Sequence, residues 1–244
     1  MRYFFEIAYD GSNYHGWQKQ DNAVSVQEII AKNIAKFLNV QDIDVVGCGR
    51  TDAGVHARQF FFHLDLEMID VSKALFNLNN MLPKDISVHS IFKMDDNAHA
   101  RFDAENRTYN YYIHQEKNPF IDNYSLYYKK ELDLNAMNDA CLFFLGKQDF
   151  TSFSKLHTGA KTNFCTISEI NWSKTNDKLT FHITANRFLR NMVRSIVGTM
   201  LEIGIGKIDS SKIPLIIDAK NRNSAGCSVP AQGLFLEKVV YPYL

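Results

Sequence analysis

The sequence of 244 residues predicts an α+β protein made of two similar halves. In the first half, alternation typical of a strand from Tyr3 to Tyr9 is followed by a helical pattern and further strands. Near Ala104 the order begins again with a strand, a long polar loop, a helix and strands. We therefore predict two domains, residues 1–104 and 105–244.

Helix signals are clear in the first half. Ser25-Val26-Gln27-Glu28 forms a capping box, and apolar residues follow it at helical spacing as far as Leu38. A second helical pattern runs from Val71 to Leu82 and is ended by Pro83. Alternating or aromatic runs predict strands over 58–66 and 86–94.

The second half carries an unusual helical pattern from Arg187 to Ile203, and Phe188 belongs to its apolar core stripe. We expect Arg187, Arg190 and Arg194 to share one face of this helix, because they lie three and four residues apart. Such a face suits a phosphate backbone or a buried carboxylate, or it is a solvated arginine ridge. The other predicted elements are strands over 107–114, 165–173, 178–185 and 233–240 and helices over 134–145 and 211–219.

Composition sets broad limits on function. The 27 basic residues balance the 27 acidic ones, and no apolar run is long enough to span a membrane, so we expect a soluble protein. The N-terminal residues lack the pattern of a signal peptide, which favours the cytoplasm. The four cysteines have no paired spacing, so neither a metal site nor a disulfide framework is expected.

A glycine-rich loop from Gly47 to Ala57 carries the strongest candidate for chemistry. It lies between a β-branched run, 43–46, and an aromatic run, 59–63, so it is predicted to join two strands. Asp52 lies at its tip, two residues after Arg50. Taken alone, Asp-Ala-Gly is ordinary turn chemistry.

A second loop, Asp10 to Gln20, mixes aromatic and hydrogen-bonding side chains. This mixture is typical of a surface that stacks on nucleic acid, and it is equally typical of a packed hairpin end. The sequence leaves both interpretations open.

Several segments together resemble one enzyme family, although none is specific alone. They are Tyr9-Asp10-Gly11, Gly16-Trp17-Gln18, Gly49 to Ala57, His99-Ala100-Arg101-Phe102, Arg107-Thr108-Tyr109, Asp149 to Phe153, Met192-Val193-Arg194 and Gly233-Leu234. In this order they resemble the tRNA pseudouridine synthase A family over nearly the whole chain.

The resemblance implies a role for each matching residue. Asp52 is the expected nucleophile, Tyr109 the aromatic partner of the target base, and Arg194 the cation paired with the aspartate. Binding of the substrate is expected from Tyr109 and from Arg50, Arg58, Arg187, Arg190 and Leu234.

The resemblance also implies a fold and a substrate. The fold is the pseudouridine synthase fold, with two α/β halves, joined and mainly antiparallel sheets, flanking helices and a central cleft. The expected partners are tRNA, modified at uridines 38, 39 and 40 of the anticodon stem-loop, and a second copy of the chain in a homodimer. The reaction involves no redox change and no group donor, so no cofactor is expected.

This chain departs from the family pattern at two places. Arg190-Asn191 stands where relatives often have two histidines, and three phenylalanines, Phe60 to Phe62, follow the glycine-rich loop. The first change removes an imidazole, and the second alters either contacts to RNA or the packing of the core.

The sequence offers two other functions and one other nucleophile. A protein that binds tRNA without modifying it would use the arginines but has no need of a central aspartate. A glycoside hydrolase would need a second acid at a fixed separation, and the motif segments offer none as convincing. Cys48 is a candidate nucleophile, although a cysteine between two glycines is more often a small packing residue.

Overall fold

A computed structural model describes residues 1–155 and 162–244 of the chain. These residues form two compact units, 1–105 together with 235–244, and 106–234. The predicted second domain, 105–244, differs from the observed unit by its C-terminal strand, which pairs within the first unit.

The first unit is an antiparallel sheet with two helices. Its elements in chain order are β1 (Arg2–Tyr9), α1 (Val26–Leu38), β2 (Val46–Gly47), β3 (His56–Asp65), α2 (Val71–Met81) and β4 (Ile86–Met94). β1 is the central strand, with Phe5 opposite Phe62 of β3 on one side and Ile91 of β4 on the other. The run 43–46 forms a strand only at its end, because β2 pairs with β3 through two residues.

The second unit repeats this plan with a longer hairpin. Its elements are β5 (Asn106–His114), β6 (Leu126–Tyr127), α3 (Leu134–Leu142), β7 (Gly146–Asp149), β8 (Phe164–Thr175), β9 (Lys178–Ala185), α4 (Met192–Gly204) and α5 (Ile213–Asp218). β9 lies between β5 and β8 and is antiparallel to both. α3 ends three residues earlier than predicted, because Gly146 turns the chain into β7 with φ of +85°.

The last strand, β10 (Leu234–Val240), returns to the first unit. Phe235 and Leu236 lie opposite His56 and Ala57 of β3, and this pairing is parallel. The predicted α+β class is confirmed, with mainly antiparallel strands flanked by helices.

Each unit holds a helix against its sheet by the same device. The Asn79 side chain of α2 donates to the Val88 carbonyl and accepts from its N–H, both at 2.8 Å. The Asn138 side chain of α3 makes the equivalent pair with the backbone of Trp172, at 3.1 and 2.8 Å. A side-chain amide thus completes the backbone hydrogen bonding of β4 and of β8.

The three phenylalanines of β3 belong to the core. Phe60, Phe61 and Phe62 are all buried, and Phe62 stacks on Phe5 with ring centroids 4.8 Å apart. Of the two effects that the sequence left open for this departure, the structure favours core packing.

The predicted helix over 187–203 was wrong at its start. α4 begins at Met192, and Asn191 before it has the left-handed conformation with φ of 66°. A residue in that conformation cannot continue an α-helix, so Arg187 and Arg190 precede the helix that carries Arg194. The three arginines therefore do not form one helical face.

Candidate active site

Asp52 lies on the loop 48–55 between β2 and β3, and it is half-buried. The loop is tied down at both ends by backbone hydrogen bonds. Cys48 N–H donates to the Phe61 carbonyl at 2.7 Å, and Val55 N–H donates to the carbonyl of Asp52 itself at 3.2 Å. The second bond closes a tight turn with Asp52 at its first position.

Thr51, next to the aspartate, is fixed by groups of the segment 9–17. Its hydroxyl shares a buried hydrogen bond of 2.9 Å with the phenol of Tyr9. Its carbonyl accepts from Trp17 N–H at 3.3 Å, and Gly54 N–H donates to the Tyr14 carbonyl at 3.2 Å. The loop of Asp52 is thus held from one side by a single neighbouring segment.

Two glycines make this close approach possible. A Cβ at Gly11 would lie 2.0 Å from the Val55 carbonyl oxygen, and one at Gly16 would lie 2.3 Å from that of Thr51. No side chain fits at either place, since both obstacles are backbone atoms. Gly11 N–H also donates to Nδ1 of His56 at 3.1 Å.

The aromatic side chains of the second loop serve packing. Trp17 is 1% exposed and stacks on Phe60 with ring centroids 4.1 Å apart. Tyr14 donates to the Asp85 carboxylate at 2.6 Å, and burial together with that hydrogen bond raises the pKa of its phenol. The structure thus favours the packed hairpin end over a stacking surface for Tyr14 and Trp17.

The two arginines predicted near Asp52 have different surroundings. Arg50 is exposed and lines a cavity of about 210 Å³ in the first unit. Arg58 lies 3.3 Å from the Glu237 carboxylate, with its guanidinium 5.1 Å from the centre of the Phe235 ring. Arg58 therefore already has an anionic and an aromatic neighbour within its own unit.

Tyr109 lies on β5 of the second unit, opposite Ile183 of β9, and is half-buried. Its ring meets the Phe188 ring edge to face, with centroids 5.1 Å apart. The sequence placed Phe188 on the core stripe of a helix. The structure instead makes it a neighbour that fixes the orientation of Tyr109.

Arg194 lies in the first turn of α4 and is half-buried. Its Nε donates to the Val229 carbonyl at 2.7 Å, and Val229 N–H donates to the Arg194 carbonyl at 3.2 Å. This reciprocal pair fixes the guanidinium. No motif quoted from the sequence included Val229.

The remaining predicted residues are also in the second unit. Arg190 is exposed, and its carbonyl accepts from Lys155 N–H at 3.0 Å. Arg187 is half-buried and Leu234 is buried. Asn191 donates through its side chain to the Ser228 hydroxyl. Asn191 stands where relatives often have the second of two histidines, and in this chain it makes a structural contact of its own.

The cysteines do not form a reactive group. Cys48, Cys141 and Cys165 are buried, and all four cysteines are free thiols. Burial raises the pKa of Cys141 to about 12 and is the main cause that raises that of Cys165 to about 11. Cys48 has the surroundings of a packing residue rather than those of an activated nucleophile.

The described residues contain neither a metal-binding cluster nor a helix able to span a membrane. Within 1–155 and 162–244, no group of three or more His, Cys, Asp or Glu side chains is placed to hold a metal ion. In the same residues, no helix has both the length and the apolar character needed to cross a bilayer.

Comparison with known sequences identifies the family. The family model described as tRNA pseudouridine synthase matches residues 7–103 and 140–242. The chain belongs to the tRNA pseudouridine synthase family. Asp52, Arg194 and Leu234 lie within the matched segments, and Tyr109 lies between them.

Individual relatives of this family match almost end to end. A tRNA pseudouridine synthase A of Bacteroides fragilis is 50% identical, covering 99% of this chain and 97% of the relative. Proteins of the same name from Porphyromonas gingivalis and Acetivibrio thermocellus are 45% and 40% identical, over 99% and 96% of this chain and 97% of each relative. The predicted family and enzyme class, an isomerase, are confirmed.

Solved structures give a weaker likeness. A crystal structure of a Cbf5-Nop10-Gar1 complex matches with a TM-score of 0.37 and 13% identity, over 82% of this chain and 45% of the other. At that score the likeness carries no argument about the site.

Proposed function

We propose that this chain isomerises uridine to pseudouridine at positions 38, 39 and 40 of the tRNA anticodon stem-loop. The reaction breaks the bond from C1′ of the ribose to N1 of uracil and forms a bond from C1′ to C5. The C5 proton is lost and N1 gains one, so the product is an isomer of the substrate. No redox change occurs and no group is donated, which is why the proposal includes no cofactor.

The observation that carries the proposal is the support around Asp52. Tyr9, Gly11 and Gly16 hold the backbone on both sides of this aspartate through buried and short contacts. A carboxylate that must meet one carbon atom of a ribose benefits from a fixed backbone, since a misplacement of about 1 Å can cost about 100-fold in rate. A solvated turn needs no such support.

Two chemical roles are open to Asp52 in this proposal. It either attacks C1′ of the ribose or removes the proton from C2′, and both roles require the ionised carboxylate. A bound base would exclude water from the carboxylate, and a nearby cation would then stabilise its ionised form. We assign that cation to Arg194, whose guanidinium is oriented by the Val229 carbonyl.

Tyr109 is proposed to stack on the target base. Its edge-to-face contact with Phe188 orients the ring before the substrate arrives. Its phenol is also a candidate to take the C5 proton after the new bond has formed. Arg50, Arg58, Arg187 and Arg190 are assigned to the phosphates, and Leu234 to an apolar wall beside the base.

The decisive experiment replaces Asp52 by Asn, which keeps the shape of the side chain and removes its negative charge. Release of tritium from a tRNA transcript labelled at C5 of uridine measures turnover. We expect a loss of at least about 10⁴-fold in rate with tRNA binding retained. Asp44→Asn, at an exposed position of the same unit, is the matched control and should keep the parental rate.

The same assay distinguishes a pseudouridine synthase from the main alternative, a protein that binds tRNA without modifying it. A protein that only binds tRNA would retain the transcript and release no tritium even as the parent chain. Product above a trace from clean Asp52→Asn protein would remove Asp52 from its assigned role.

A cytoplasmic homodimer is also part of the proposal, through the family resemblance. Measurement of the particle mass in solution tests the dimer.

A further inference from the structure

Phe102 carries a largely exposed aromatic ring on the first unit. It follows β4 in the turn 99–103, and 74% of its surface is exposed. Phe60, Phe61 and Phe62 of the same unit are almost completely buried. The ring lies beside the imidazole of His99, with centroids 4.2 Å apart, and the guanidinium of Arg101 lies 5.8 Å from its centre.

The turn that carries Phe102 is held by side chains on its inner side. Nδ1 of His99 accepts from the N–H groups of Arg101 and Phe102 at 3.1 and 3.3 Å. The Asp103 carboxylate accepts from His99 N–H at 2.7 Å. These bonds fix the backbone of both residues, so the exposed ring stands on an ordered support rather than on a loose surface loop.

Deeper contacts connect the same turn to the core. Ala100 N–H donates to Nδ1 of the buried His63 at 3.1 Å, and the Ala100 carbonyl accepts from the Tyr241 phenol at 2.5 Å. These bonds hold the backbone that leads to Phe102, whose ring is largely exposed to water.

Charge beside the ring indicates what it contacts. Arg101 lines the same cavity of about 210 Å³ as Arg50, together with Gln18 and Gly49. Two guanidinium groups on one small cavity favour an anion, and arginine matches the geometry of a phosphate. An aromatic ring next to phosphate-binding arginines is the usual composition of a site for single-stranded nucleic acid.

We propose that Phe102 is a stacking platform for an unpaired base of the substrate RNA, and that Arg50 and Arg101 hold a phosphate of the same strand in the adjoining cavity. This inference rests on the proposed function, since it takes tRNA as the substrate. The inference adds a binding subsite within the first unit. Phe102 contributes there to the affinity for tRNA and not to the chemical step.

The chain provides a matched control for Phe102. Phe76 on α2 belongs to the same unit and is 70% exposed, yet it lies on a regular helix outside the segments described above. Phe102→Ala should weaken binding of an unmodified tRNA transcript about tenfold, because stacking on an aromatic side chain typically contributes that much. Phe76→Ala should bind as tightly as the parent.

Two further variants separate stacking from other effects. Phe102→Trp should restore parental affinity, and Phe102→Leu, which is apolar but has no ring, should remain weak. Arg101→Gln should reduce the dependence of binding on salt by about one released ion, whereas Phe102→Ala should leave that dependence unchanged. In turnover assays, Phe102→Ala should raise KM and keep kcat.

Parental affinity of Phe102→Ala, or equal affinity of the Leu and Trp variants, would overturn the inference. If the Ala variant fails to fold, the comparison of Leu with Trp decides alone. Failure of the proposed function gives a different result, because the parent chain itself would then release no tritium from labelled tRNA.

Discussion

The loop 48–55 and the segment 187–194 both carry residues assigned to the reaction, but they are held in different ways. Around Asp52 the contacts are made by backbone atoms, and Gly11 and Gly16 leave no space for a side chain. Around Arg194 they are made by polar side chains, with Asn191 on the Ser228 hydroxyl and Arg194 on the Val229 carbonyl. The first region adds a close steric fit to its hydrogen bonds, whereas the second depends on hydrogen bonds made by polar side chains.

The difference predicts how each region tolerates substitution. A steric fit between backbone atoms fails when one carbon is added, because neither partner can move aside. A hydrogen bond made by a partly exposed side chain contributes about 0.5–1.5 kcal/mol, and water replaces part of it when it is lost. The loop of Asp52 should therefore be much less tolerant than the start of α4.

The largest effect is expected from Gly16→Ala. Its Cβ would lie 2.3 Å from the Thr51 carbonyl oxygen, and Gly16 has φ of +86°. We expect the free energy of unfolding of the first unit to fall by about 3–5 kcal/mol. Urea denaturation measures this loss, with Trp17 as the only tryptophan in a Trp172→Phe background.

Gly206→Ala, in the second unit, is the control for that change, and its loss is followed by Trp172 in a Trp17→Phe background. Gly206 also has a positive φ, +72°, but a Cβ there would meet nothing within 4 Å. Only the backbone strain remains, which costs about 1–2 kcal/mol. Equal losses for the two variants would show that φ, rather than the close approach to Thr51, determines the intolerance at Gly16.

A second, smaller effect concerns pH. Burial, with a further contribution from the Arg2 guanidinium and the His99 imidazole, lowers the pKa of His63 to about 4, although Asp65 and Asp103 act in the opposite direction. The unfolded chain therefore binds a proton at a higher pH than the folded chain does. The stabilising contribution is complete above the unfolded pKa of about 6.5 and is lost as the pH falls towards 4.

Between pH 7 and pH 5 this linkage should cost the first unit roughly 2 kcal/mol of its free energy of unfolding. His63→Asn offers an amide oxygen to Ala100 N–H in place of Nδ1, and it should flatten the pH dependence by that amount. His89→Asn, at an exposed position, should keep the parental dependence. A parental slope in the His63 variant would contradict the assignment.

The sequence predicts the regular elements well where local signals are strong. The Ser25 cap and the apolar spacing place α1 at its observed bounds, and Ile86–Met94 matches β4. These elements depend on neighbours in sequence, so a pattern of a few residues determines them. The motif segments also indicate the loop of Asp52, although its glycines alone are compatible with an ordinary turn.

What the sequence does not show depends on contacts between distant residues. The bond between Tyr9 and Thr51 joins positions 42 apart, and that between Arg194 and Val229 joins positions 35 apart. The helical spacing of apolar residues runs from 187 to 203, but the left-handed Asn191 prevents the helix from starting before Met192. Periodicity reports the type of side chain and not the backbone conformation. Phe188 was placed in the core for the same reason.

The smallest effect is expected at Asn191, where backbone preference and hydrogen bonding can be separated. Asparagine tolerates φ of 66° better than most residues, and its side chain also donates to Ser228. Asn191→Gly keeps the backbone preference and loses the bond, so it should cost the second unit about 0.5–1 kcal/mol. Asn191→Ala loses both and should cost about 1–2 kcal/mol.

Urea denaturation followed by Trp172 in a Trp17→Phe background measures both losses. Ser228→Ala removes the same hydrogen bond from its other side. If Ala proves no worse than Gly, the left-handed backbone is not what selects asparagine here, and the start of α4 is held by the hydrogen bond alone.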